Sequence, residues 1–190
     1  MPDKASVLAD VCRALTAGNS AAAAEALRSQ YGFRAVQASG RKCGPAESTP
    51  VFVRDGFVDR YSGARLIFPG ALRLLSHLLP VEFPFHPNWR TDQTHPAYWE
   101  LTATIDHLMP VSRGGADSES NWLTTSMLRN SAKANWTIEE LGWELHPAGS
   151  LRDWDGLLEW FLKTYEPLER KRLPAGLSHW YRAGKAARNH

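Results

Sequence analysis

The chain has 190 residues, 43% of them hydrophobic, with 22 basic against 20 acidic side chains and a formal net charge of +2. That is enough apolar material for a packed domain with appended helices and excludes a wholly disordered chain, and no apolar run approaches the roughly 20 residues a membrane-spanning helix needs. The cysteines, Cys12 and Cys43, have no close-spaced partner, so neither a disulfide framework nor a cysteine zinc motif is implied; with no basic and apolar leader at the N-terminus, a cytoplasmic location is expected.

In chain order, Ser6 to Thr16 and Ser20 to Tyr31 read as a helical hairpin of good helix formers, with Gly18-Asn19 as the stop between them and Val7, Leu8, Val11 and Leu15 expected to face inward. Gln37 to Pro50, with two glycines and two prolines, reads as a linker, which sets a first part at residues 1–48. Val51 to Val53 and Arg65 to Phe68 are expected as short strands around a tight turn. An insertion at 69–99 follows, helical over Ala71 to Leu79 and irregular through the Pro- and aromatic-rich Val81 to His95. Its His77, His86 and His95 lack a metal-ligand spacing and are expected to be ordinary hydrogen-bonded residues.

Thr102 to Ile105 is β-prone and ends at Asp106-His107; Val111 to Ser120, with Gly114-Gly115, is a reversing turn; Asn121 to Thr125 is a second strand; Ser126 can cap a helix running to Ala134. Strand, turn, strand and helix then bring one carboxylate, one imidazole, one amide and one amine together, because Asn130 and Lys133 share a helix face. Asp106 and Asn130 offer hard oxygen ligands of the kind Mg²⁺ accepts, with water and phosphate completing its shell. His107, on the opposite side of the strand from Asp106, is suited to take a proton from water near neutral pH.

After this unit Thr137 and Glu140 match a capping box over a short helix. Asp153 to Tyr165 carries an apolar stripe at helical spacing, and the segment from Glu166 to Lys185 is expected to hold more helix, broken near Pro174-Ala175-Gly176. Six of the 22 basic residues and none of the 20 acidic ones fall between Arg170 and His190, which leaves the rest of the chain at −4. That segment reads as a phosphate-contacting tail or as a solvated helix face. Tryptophans are numerous, eight in all, but scattered, which suits core anchoring.

Asp106-His107, Asn121, Asn130 and Lys133, with the Gly-Gly turn, resemble the core of the HNH endonucleases, whose fold is the ββα-metal nuclease. The resemblance runs roughly from Val51 to Trp136. It implies an α+β protein: a ββα-metal core over residues 49–136, preceded by the N-terminal helical hairpin and followed by C-terminal helices and a basic tail over 137–190. By it, His107 is the general base, Asn121 braces the loop that orients His107, and Asp106 and Asn130 hold a single Mg²⁺, Mn²⁺ or other divalent ion. Lys133, Arg113, Arg170, Lys171 and Arg172 are the expected substrate contacts. Many members carry two cysteine pairs around a structural zinc; here Asp59 and Ser62 stand at the first pair and Ser126 and Arg129 at the second, so no structural zinc is expected, and Phe57, Tyr61 and their neighbours supply buried area instead.

The function so implied is metal-dependent hydrolysis of DNA phosphodiesters. The alternatives are a non-cleaving DNA-binding protein of the same fold and an RNase or nuclease toxin. The partner expected is DNA, with no membrane; the residues do not specify an oligomeric state.

Overall fold

A computed structural model describes residues 3–32, 43–168 and 173–188. The chain divides into two compact units, residues 1–38 and 39–190. In the first, α1 (Lys4–Thr16) and α2 (Ser20–Tyr31) pair with each other. Asp3 caps α1 by accepting from the amides of Ala5 and Ser6, and Asn19 caps α2 by accepting from Ala22. Val7, Val11 and Ala23 are buried, whereas Leu8 and Leu15, expected to face inward, are 44% and 51% exposed. One partner helix covers one narrow seam, so residues off that seam or at its end stay in water.

The second unit runs α3 (Pro45–Arg54), α4 (Pro69–Leu78), α5 (Ala97–Leu101), β1 (Ala103–His107), β2 (Trp122–Ser126), α6 (Met127–Lys133), α7 (Ile138–Leu141), α8 (Leu158–Tyr165) and α9 (Leu177–Ala187). This is an α+β arrangement in which, among the described residues, the two strands form one antiparallel pair. No helix there is long and apolar enough to cross a membrane.

Two sequence expectations change. Val51 to Val53 is helix, not strand: Pro45 opens α3 inside the expected linker, and Ser48 and Thr49 turn their hydroxyls back onto the carbonyls of Gly44 and Pro45. Burial of Val51 and Phe52 on one helical face outweighs the β propensity of the run. Arg65 to Phe68 makes only two isolated bridges, Val58 with Arg65 and Ile67 with Thr102.

The core is aromatic. Phe68 meets Phe57 edge-on at 6.2 Å, Phe161 at 5.4 Å and Trp180 at 5.3 Å between ring centroids. The expected helix from Asp153 starts only at Leu158, because Gly156 and Leu157 have φ of +66° and +62°. Gly156 is needed there: a Cβ on it would lie 2.4 Å from the Phe57 ring. Helices α8 and α9 pack on α4, and α9 also packs on α3, so both helices contribute to the core. The expected basic tail is, over 177–187, a packed helix that buries Leu177, Tyr181, Ala183, Gly184 and Ala187 and leaves Arg182 and Lys185 outside.

Both strands of a two-stranded sheet are edges, and their outward backbone groups need partners. On β2 the partners come from the turn after α3. Asp55 Oδ2 accepts from the Thr124 amide at 2.8 Å, the Arg60 amide donates to the Thr124 carbonyl at 2.9 Å, and Asp59 Oδ2 accepts from the Ser126 amide at 3.0 Å. Asp59 Oδ1 also accepts from the Tyr61 amide at 2.9 Å and the Thr125 hydroxyl at 3.0 Å. Ser126 Oγ in turn caps α6 by accepting from the Arg129 amide, and the Arg129 guanidinium lies 5.3 Å from the centre of the Trp143 ring. A carboxylate thus joins the two places where the HNH resemblance puts cysteine pairs.

Asp59→Asn puts an amide N–H where buried donors now point and is expected to cost roughly 2–4 kcal/mol in urea unfolding. The parental protein is expected to hold substoichiometric zinc by elemental analysis after dialysis. One tightly held zinc per chain, lost on unfolding, would count against this account of the turn.

Candidate functional site

The sequence places Asp106 and His107 side by side, and the pleat of β1 sends them to opposite faces. Each is 7% exposed. On the first face, Asp106 Oδ2 accepts from the Tyr61 hydroxyl at 2.8 Å and lies 3.0 Å from Lys133 Nζ. Lys133 is fully buried, donates to the His107 carbonyl at 2.8 Å, and holds its ammonium 5.7 Å from the centre of the Tyr61 ring. Burial, and then the negative charge of Asp106, push the Tyr61 phenol far above its ordinary pKa, so it remains a hydrogen-bond donor throughout the working pH range. Lys133, expected from the sequence to contact substrate, is placed against Asp106 and the His107 carbonyl. Its stem and ammonium are enclosed, and its charge is spent on Asp106.

Asn130 donates Nδ2 to the Ile105 carbonyl at 2.9 Å and to Thr104 Oγ1 at 3.3 Å. Being three residues apart on α6, Asn130 and Lys133 reach carbonyls two residues apart on β1, which fastens the helix to the strand edge. Asn130 thus sits against Thr104 and Ile105, and its hydrogen bonds do not reach Asp106.

On the other face, His107 Nε2 lies 2.8 Å from Asp117 Oδ1, and Trp122, its direct cross-strand partner, places Nε1 3.0 Å from that nitrogen and 3.1 Å from the same Asp117 oxygen. An unprotonated Nε2 would set a lone pair against the carboxylate. The arrangement that satisfies all the groups has Nε2–H and Trp122 Nε1–H both donated toward Asp117, leaving the lone pair on Nδ1. Asp117 was not among the residues singled out from sequence. It sits in the reversing turn ten positions after His107, and only closure of that turn brings it near.

Asn121 performs that closure. Its Oδ1 accepts from the Met109 amide at 2.9 Å, and its Nδ2 donates to the carbonyls of Met109 and Ala116, both at 2.8 Å. Gly115 permits the approach, since a Cβ there would stand 1.9 Å from the Met109 carbonyl oxygen. Arg113 is drawn back onto α7 and the chain before it, donating to Glu140 and to the Asn135 carbonyl, both at 3.1 Å. Arg170, Lys171 and Arg172 lie outside the described residues. His86 and His95 accept from the amides of Asn88 and Ala97 through Nδ1.

For a divalent ion, the donor set is one carboxylate and one amide. Both contacts described for the Asp106 carboxylate fall on Oδ2, and both described side-chain bonds of Asn130 come from Nδ2, which leaves the two Oδ1 atoms. Such a set suits Mg²⁺, which keeps most of its water and takes few protein oxygens, and does not suit a closed zinc site. Among the described residues no three His, Cys, Asp or Glu side chains cluster. The Lys133 ammonium at Asp106 opposes a second cation, so affinity without substrate phosphate should be low.

Removing Lys133 leaves Asp106 buried and unpaired. Lys133→Met is expected to cost about 3–5 kcal/mol in urea unfolding, and adding Asp106→Asn is expected to recover much of that. Additive losses in the double variant would mean that the pair is not coupled.

Compared with known proteins, the chain matches no family model, no curated sequence and no solved structure, so a functional reading stands on the residues themselves.

Proposed function

We propose that this chain is a metal-dependent endonuclease of the HNH, ββα-metal type, hydrolysing DNA phosphodiester bonds with His107 as general base. The observation that carries the reading is the His107–Asp117 pair at the end of β1, backed by a turn that Asn121 braces, with Asp106 on the opposite face of the same strand. An imidazole whose Nε2–H is fixed on a carboxylate keeps its basic nitrogen in one tautomer and one orientation. His107 Nδ1 removes a proton from the attacking water, Asp117 balances the imidazolium that results, and Asn121 keeps the loop in place.

Asp106 and Asn130 are the residues that would hold the divalent ion. Such an ion would supply charge neutralisation at the scissile phosphate and the departing oxygen. Tyr61 and Lys133 hold the Asp106 carboxylate in one rotamer, at the cost of weakening its hold on a cation. That last feature favours a second reading, a DNA-binding protein of the same fold that does not cleave.

Incubation of plasmid with purified protein and Mg²⁺ or Mn²⁺, against a chelator control, separates the two. Metal-dependent cutting is expected, with single-turnover rates falling about 10²- to 10⁴-fold for His107→Ala and roughly 10-fold or more for Asp117→Asn. Asp106→Ala is expected to be partly rescued by high metal concentration, and His107→Ala is not. If His107→Ala cuts at the parental rate, the assignment of the base is wrong. DNA binding with no cutting under any metal points to the second reading.

A further inference from the structure

A cavity of about 390 Å³ opens beside the hairpin, bounded by parts of α3, α4, α5, β1, α6 and α9 together with the loop before α5. Its size falls in the range of small-molecule sites, roughly 300–1,000 Å³. Part of the lining is a packed aromatic cluster: Phe85 and Tyr98 lie 4.6 Å apart between ring centroids, tilted by 41°, and Trp89 meets Tyr98 edge-on at 5.7 Å.

Two polar groups on this wall lack partners. Thr102 is 6% exposed and lines the cavity, and its hydroxyl is, among the described residues, the buried side-chain polar atom with no hydrogen bond. An orphaned hydroxyl is a net cost to the fold, and such exceptions call for a reason. Arg73 is half-buried with its guanidinium 3.9 Å above the centre of the Phe85 ring, and no described carboxylate or carbonyl accepts from it. A planar cation stacked on an aromatic face presents its donors edge-on to anything lying in the cavity.

We propose that this cavity binds a single nucleobase, packed against its aromatic lining, with Arg73 donating to acceptors on the base edge and the Thr102 hydroxyl bonding to a second polar atom. Stacking between aromatic side chains combined with edge hydrogen bonds is the chemistry by which proteins hold an unpaired base, and a guanidinium matches the paired acceptors of a purine edge. The cavity adjoins the proposed catalytic site: Thr104, Ile105 and Asn130 line it, and Asp106 is the next residue along β1. The base can come from a free nucleotide or from DNA in which one base is turned out of the stack. The second source rests on the nuclease reading, and the first does not.

The test uses the full chain. Each of the four common nucleoside monophosphates is titrated by calorimetry and by tryptophan fluorescence, which Trp89 and Trp180 in the cavity should report, with ribose 5-phosphate as the control for phosphate alone. At least one nucleotide is expected to bind with a Kd below about 1 mM while ribose 5-phosphate does not. Thr102→Val, which removes the orphan hydroxyl without changing shape, should keep the fold and weaken binding about three- to tenfold. Phe85→Ala should weaken it about tenfold or more, and His107→Ala should leave it unchanged. In a second arm, duplexes carrying 2-aminopurine at successive positions report unstacking. A rise at one position that Phe85→Ala abolishes assigns the site to a base extruded from DNA, and nucleotide binding without such a rise assigns it to a free nucleotide. Absence of binding in both arms, or binding that neither Thr102→Val nor Phe85→Ala alters, overturns the proposal. Cleavage by the same protein preparations is scored separately, so loss of base binding with intact cutting refutes the cavity and not the nuclease.

Discussion

A two-stranded sheet has no interior strand, and in this protein the whole hairpin depends on side chains and backbone groups of other segments that complete its edges. A lone hairpin is marginal in water because each strand shows half its backbone groups to solvent. Here Asp55, Arg60 and Asp59 satisfy β2 from one side, while Ile67, Asn130 and Lys133 satisfy β1 from the other. The strand that carries Asp106 and His107 is thereby fixed at both margins, and a site on its last two residues inherits that rigidity.

The same economy creates a conflict at Asp106. A carboxylate with 7% exposure needs a partner, and the amine that fastens α6 to the strand also neutralises it. The ion pair orients the carboxylate but opposes a metal ion at the same group. His107 carries no such conflict, because its partners Asp117 and Trp122 lie on the other face of the strand.

Structural support around the first turn follows a parallel logic. Asp59 accepts three hydrogen bonds, spanning the turn, β2 and the start of α6, while Phe57 and Tyr61 fill the space beside it. Directional hydrogen bonds and aromatic area together hold the turn, β2 and the start of α6. Because the carboxylate is buried, the turn tolerates little change at that position.

Local features were legible in the chain because their causes lie within a few residues. The capping of α6 by Ser126, the Thr137–Glu140 capping box and the divergence of Asp106 from His107 depend on neighbours, pleat and backbone hydrogen bonding. Tertiary structure decided the rest. Whether Val51 to Val53 became strand or helix turned on which face the core would bury. Tyr61 meets Asp106 across 45 residues, Asp59 meets Thr125 across 66 and Asp55 meets Thr124 across 69. The α6 packing that encloses Lys133 is set by the fold around it, so its burial could not be read from its helical spacing, which looks the same whether the amine faces solvent or a carboxylate. A sequence states which groups are present and which side of an element they leave from; what meets them there is determined only when distant segments pack.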